Sequence, residues 1–242
     1  MGWQASFAHE LSAEESKIEY GNEVRYVDRE IGRLVEGLDR RNWIDDSLIV
    51  FTADHGESLG EHNLGGHIHQ LYETLLHVPL FFVSPGRIPE GMVIDQPASL
   101  VDVLPTIAEI AGLPIPAGIR GRSLVPLISG SADAWVEKPH FSVTARPQAN
   151  SNLESVVLGG WKLIRNQDKH RDALFNLLAD PCELNDVAAD FPDRVTELSE
   201  LLDKHHAEPI SDAALNELDD ESRAQLEALG YLTRPENQPS EQ

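Results

Sequence analysis

Seven residues, Ser47-Leu-Ile-Val-Phe-Thr-Ala53, run into Asp54-His55-Gly56-Glu57 with no spacer. The first part is short, β-rich and continuously apolar. That is the pattern of a strand buried on both faces, as in a parallel sheet. The second part is polar and titratable, and it lies at the strand's carboxyl end. In open α/β sheets, ligands bind at that end. One junction therefore constrains fold class and chemistry together. It predicts an α/β domain whose working loop runs from Gly56 to His69.

The rest of the chain fits around that junction. Val24, Val27, Ile31, Leu34, Val35 and Leu38 share one helical face, predicting a long helix over residues 14–42. Ser12 is placed to cap it, with Glu15 three residues on in capping-box position. A short helix is expected over 70–76. Val78-Pro-Leu-Phe-Phe-Val83 reads as a second buried strand, closed by Ser84-Pro85-Gly86. Residues 99–111 read as another helix, with Gly112 just past its end. From Pro139 the pattern changes to short strands over 140–145, 153–158, 161–165 and 173–177, with a turn at Gly159-Gly160. These predict a small antiparallel sheet. Helices are expected over 193–206 and 219–229, and the last ten residues are polar enough to stay unpacked. The predicted division is 1–135 for the α/β portion, 136–210 for the small antiparallel subdomain, and 211–242 for a terminal helix and polar tail.

Composition excludes several functions. The chain carries 41 Asp and Glu against 19 Lys and Arg, a formal charge of −22. Nucleic acid is excluded as an expected partner, because phosphate binding needs a basic face. A local cationic or metal-bearing pocket can still bind an anion. The sole cysteine, Cys182, excludes an internal disulfide and a multi-cysteine zinc site. No apolar run approaches the roughly 20 residues of a membrane span. The opening MGWQASFAHE lacks the basic and apolar regions of a signal peptide.

Two clusters in the working loop carry chemistry. Asp54 and His55 are adjacent, and a loop can turn both towards one cation. Equally, Asp54 can cap a turn and His55 can lie at the surface. Two ligands do not complete a site, so any metal here needs donors from elsewhere. The second cluster is Gly65-Gly66-His67-Ile68-His69. A neutral imidazole can ligate, and a protonated one can donate to an anionic oxygen or leaving group. With His62, four imidazoles fall within fifteen residues, a density that favours an anion or metal pocket over a plain solvated loop.

These residues, in this order, resemble a known family. Thr52-Ala-Asp54-His55-Gly56-Glu57, Gly60-Glu61-His62, Gly66-His67, His69, Leu71-Tyr72-Glu73 and Val78-Pro79-Leu80 resemble the second conserved block of bacterial sulfatases, in the alkaline phosphatase superfamily. Tyr26-Val-Asp28 with Gly32 resembles the helix before that block. Ser99-Leu-Val-Asp102, Pro105-Thr106 and Gly121-Arg-Ser123-Leu124 resemble the segments after it. Trp161-Lys162-Leu163, Leu174-Phe-Asn-Leu177, Asp180-Pro181-Cys-Glu183 and Asn185 resemble the C-terminal subdomain.

The resemblance implies a fold, a reaction and roles. The fold is α/β: part of a sulfatase-like mixed sheet flanked by helices, followed by a small antiparallel sheet with a helix. The reaction is hydrolysis of a sulfuric ester, with a divalent metal on the sulfate oxygens and a hydrated formylglycine as nucleophile. Asp54 and His55 match the late pair of metal ligands. His67 matches a cationic group that contacts the transferred group, and His69 is its neighbour. Calcium is the family's usual ion, with Mn2+, Mg2+ or Zn2+ as alternatives. The Asp-His pair also occurs in members resembling phosphonate monoester hydrolases, so a phosphonate or phosphodiester substrate is the alternative. The expected substrate is a sulfate ester of a small molecule or saccharide. Arg146 and Lys162 are candidates for framing its pocket. Tyr72 and Glu73 are expected to brace the loop, and Asp102 to start a helix.

The family's nucleophile motif, Cys/Ser-x-Pro-x-Arg, is not in this sequence. Ser84-Pro85-Gly86-Arg87 has the wrong spacing, and Asp190-Phe191-Pro192-Asp193-Arg194 begins with the wrong residue. The chain therefore resembles the later half of a sulfatase, inactive alone, or a non-catalytic remnant that keeps an anion pocket. Its apolar strands are expected to need a partner, either an N-terminal segment or a second copy. The sequence leaves the cellular compartment open.

Overall fold

The computed structural model describes residues 12–67, 70–131, 135–144 and 152–207. The chain divides into two units, Met1–His205 and His206–Gln242. The elements below belong to the first, except the last two residues of the final helix. The predicted helix over 219–229 and the polar tail lie outside the described residues.

Helix α1 spans Ala13–Asp39. Ser12 caps it as its sequence predicts: Oγ accepts from the Glu15 N–H, and the Glu15 carboxylate accepts from the Ser12 N–H at 2.9 Å. Two orphan donors of the first turn are satisfied together. Strand β1, Ile49–Thr52, follows a 3-10 turn at Ile44–Asp46. The working loop holds a two-residue hairpin, β2 at Ser58–Leu59 and β3 at Gly65–Gly66. A one-turn helix α2, Glu73–Leu76, precedes β4 at Leu80–Val83.

The pairing of β1 departs from expectation. It pairs antiparallel with β4, Ile49 opposite Val83, and its residues are half-buried or exposed. The expected burial on both faces does not hold either, since Phe81 and Val83 of β4 are 55% and 49% exposed; an apolar run fixes neither strand direction nor what covers each face. Among the described residues these two strands form a sheet by themselves.

Helix α3 spans Val103–Ile110 and is entered through a 3-10 turn at Leu100–Asp102. Asp102 is buried at that entry. Its carboxylate accepts from the N–H groups of Ser99 (3.0 Å) and Arg122 (2.8 Å), which makes it a helix-start residue rather than a ligand. Gly112 takes φ +68° just past the helix end, as a C′ glycine should. A further turn, α4 at Val125–Ile128, has no clear sequence signal. Its Leu127 and Ile128, with Leu124, form a small core under Leu80, Phe82 and Trp135.

The C-terminal part is a meander of four antiparallel strands: β5 His140–Thr144, β6 Leu153–Leu158, β7 Trp161–Asn166 and β8 Arg171–Asn176. Gly159 and Gly160 both have positive φ, which the two-residue β6–β7 turn requires. Val156, Leu163 and Leu174 are cross-strand partners in one row. That row buries against Leu198 and Leu202 of helix α5, Pro192–Ala207. Because side chains alternate across a strand, Lys162 and its partner Phe175 face the opposite side.

Candidate functional site

The site starts from Gly56. Its N–H donates to the Leu75 carbonyl at 2.8 Å. A Cβ built on it would lie 2.1 Å from the Thr74 carbonyl oxygen, so only glycine fits between the loop and α2. This contact fixes the residues on either side, His55 and Glu57. His55 Nδ1 lies 2.9 Å from the Gly56 carbonyl oxygen. That contact sets how the imidazole presents its other nitrogen.

His55, Glu57 and His67 converge. Each offers a ligand atom, and the three atoms lie within 4.8 Å of one another. The two rings sit 4.7 Å apart between centroids, and His67 Nδ1 is 3.2 Å from Glu57 Oε2. Two imidazoles and a carboxylate make a mixed nitrogen and oxygen donor set that suits several divalent ions. Asp54 stands beside this group. Its Oδ1 accepts from the His55 N–H at 3.0 Å, and Oδ2 is 3.8 Å from His55 Nε2. The predicted residues Asp54, His55 and His67 are thus neighbours at one end of β1. His69 lies outside the described residues, as does Arg146. The His62 ring stacks on Tyr72 at 3.7 Å between ring centroids and is not one of the three.

Two residues have roles that their sequence did not reveal. Glu57 completes the convergent trio. Its signal was available, an acid two positions beyond His55 across a glycine. Lys162 is the other. Its side chain is 0% exposed, and Nζ lies 2.8 Å from both Glu73 Oε1 and Glu183 Oε1. Glu183 Oε2 accepts from the Glu73 N–H at 2.6 Å. Burial pushes the Glu183 carboxyl above its ordinary range, with Lys162 pulling the other way. Tyr72 and Glu73 therefore do brace the loop. The Tyr72 ring meets Phe175 edge-on at 5.9 Å, and burial raises its phenol.

The comparisons with known proteins point one way. A family model described as Sulfatase matches residues 4–113, and one described as N-sulphoglucosamine sulphohydrolase, C-terminal, matches residues 60–209. Arylsulfatase K of Xenopus laevis is 34% identical over 181 residues, which are 71% of this chain and 33% of that protein. Arylsulfatase K of Homo sapiens is 32% identical, over 73% of this chain and 34% of that protein. The chain thus spans about a third of the length of the curated relatives it matches. A structure solved in complex with its substrate D-glucosamine-2-N,6-O-disulfate superposes with TM-score 0.69 at 28% identity. It covers 76% of this chain and 39% of that one. The phosphonate monoester hydrolase of Silicibacter pomeroyi superposes with TM-score 0.66 at 28% identity, covering 75% and 38%. The C-terminal family model alone spans more than half of the residues, and this chain belongs to the sulfatase family of the alkaline phosphatase superfamily.

Proposed function

We propose that this chain supplies the metal-holding and oxyanion-contacting part of a metal-dependent sulfuric ester hydrolase. The observation that carries the reading is the convergence of His55, Glu57 and His67 at the carboxyl end of β1. Asp54 and His55 are the ligands expected from the family, and Glu57 is the donor within reach of the same ion. A bound divalent ion polarises the sulfate oxygens and offsets the charge that builds on them.

The chain's own residues have the remaining roles. His67, with Nδ1 held by Glu57, can present its other nitrogen to a non-bridging oxygen or to the leaving oxygen. Protonated, it donates a hydrogen bond or a proton there. His69 is proposed to act beside it. The Gly56 contact holds His55 rigidly, so little reorganisation is needed when charge develops. Calcium is the proposed ion, with Mn2+, Mg2+ and Zn2+ as alternatives. Saccharide sulfate esters are the proposed substrates, since a neighbouring structure holds a sulfated glucosamine. The covalent step needs a nucleophile that these 242 residues do not provide.

The test is calorimetric titration of the chain with Mn2+ and Ca2+, then with sulfate. Metal uptake that His55→Ala abolishes, and sulfate binding that requires both metal and His67, are the expected results. Metal uptake indifferent to His55 and Glu57 overturns the reading. A second reading, phosphonate or phosphodiester hydrolysis, is favoured by the match to phosphonate monoester hydrolases. Tighter metal-dependent binding of methylphosphonate than of sulfate selects it.

A further inference from the structure

The cluster of His55, Glu57 and His67 is tied to the C-terminal sheet by a short chain of contacts. Lys162, the second residue of β7, is fully buried and bridges Glu73 and Glu183 at 2.8 Å each. Glu73 is the first residue of α2, and its N–H is held by Glu183 at 2.6 Å. Within α2, the Leu75 N–H donates to the Tyr72 carbonyl at 2.9 Å, and the Leu75 carbonyl accepts from Gly56 at 2.8 Å. Gly56 sits between His55 and Glu57 and leaves no room for a side chain against Thr74. Every link is a hydrogen bond, an ion pair or a steric contact.

A buried lysine between two carboxylates is a costly way to join two elements. Apolar residues of the same volume usually hold a fold as well or better. What an ion triad adds is direction, because its hydrogen bonds accept one placement of the partner and reject a slipped one. Here the partner is α2, and α2 sets the height of Gly56. We propose that Lys162 and Glu183 are positioning residues for the metal site, acting through Glu73 and α2 on His55 and Glu57. The proposal rests on the metal reading of that trio. It assigns the antiparallel subdomain a part in holding the ion although it contributes no ligand.

The experiment uses the full 242-residue chain, Lys162→Met and the double variant Lys162→Met/Glu183→Leu. The double variant replaces both buried charges with apolar groups, which holds the fold where the single change leaves a carboxylate stranded. Mn2+ affinity, the visible spectrum of bound Co2+, and hydrogen exchange at the Gly56 amide are measured on each. Both variants are expected to weaken Mn2+ by about tenfold or more, as the loss of an outer-shell support does. Both should alter the Co2+ spectrum and speed exchange at Gly56, while β6 and β7 amides in the double variant stay protected. A folded double variant with wild-type Mn2+ affinity, Co2+ spectrum and Gly56 exchange overturns the proposal. If the wild-type chain takes up no Mn2+, the metal reading falls instead. Exchange at Gly56 then decides the positioning claim alone.

Discussion

Helix α1 and the β5–β8 sheet each present an apolar face, but they bury it to opposite degrees. The sheet's central row, Val156, Leu163 and Leu174, is 0% exposed beneath Leu198 and Leu202. In α1 no residue is buried, and Ile18, Val24, Val27 and Leu34 remain about half exposed or more. The helix is held by local devices instead. These are its capping box and surface pairs such as Arg33 with Glu30 at 2.7 Å, worth a few tenths of a kcal/mol each. The sheet is held by contacts far apart in sequence, crowned by the Lys162 triad. One region is specified by burial, the other by short-range signals. Substitutions should respond accordingly.

The largest expected effect is at Lys162. Lys162→Met strands Glu183 without its cation and should lower stability by about 3–5 kcal/mol, read as a shift of the urea midpoint. Leu198→Ala opens a cavity under the sheet and should cost about 2–5 kcal/mol. A loss below about 1 kcal/mol there would break the contrast with α1.

The pH response of Glu183 comes next. Its folded pKa is raised, chiefly by burial, above the ordinary 4.5. Only between pH 4.5 and that raised pKa does the folded chain hold a proton that the unfolded chain has released. Its contribution is full below pH 4.5 and is lost as pH rises through the folded pKa. Stability of the wild type relative to Glu183→Gln should thus fall as pH rises through that window. A flat difference would show that Lys162 offsets the burial fully.

Ser12→Ala removes the α1 cap and should cost about 1 kcal/mol, seen as lost helicity by circular dichroism. Smallest of all, Val27→Ala should change stability by no more than about 0.5 kcal/mol. A larger loss in the isolated chain would mean that the apolar stripe of α1 is covered in solution, as self-association measured by sedimentation would confirm.

Much of this was legible in the residues themselves. The Ser12 and Glu15 pair and the Gly159-Gly160 turn act locally, so their outcome follows from neighbours in sequence. The meander followed from short strand-like runs between close turns, Gly159-Gly160 among them. That Asp54, His55 and His67 gather at one place was legible because imidazoles and carboxylates crowd one loop after one strand. Strand direction at β1 was not legible, since apolar character is blind to polarity of the chain. Lys162 was misleading for a related reason. A cation in the C-terminal sheet reads as a candidate for framing a substrate pocket, and only the distant acids Glu73 and Glu183 reveal its burial. The better clue was its place between Trp161 and Leu163 in a strand whose other members are mostly apolar.

The buried triad also bears on descent. A lineage that loses the lysine leaves the buried Glu183 acid facing Glu73 with no cation between them, and a lineage that loses one acid leaves a weaker anchor. Stepwise drift at any one of the three positions passes through an unfit intermediate. Across homologues, positions 73, 162 and 183 should therefore be inherited as a set, changing together or not at all.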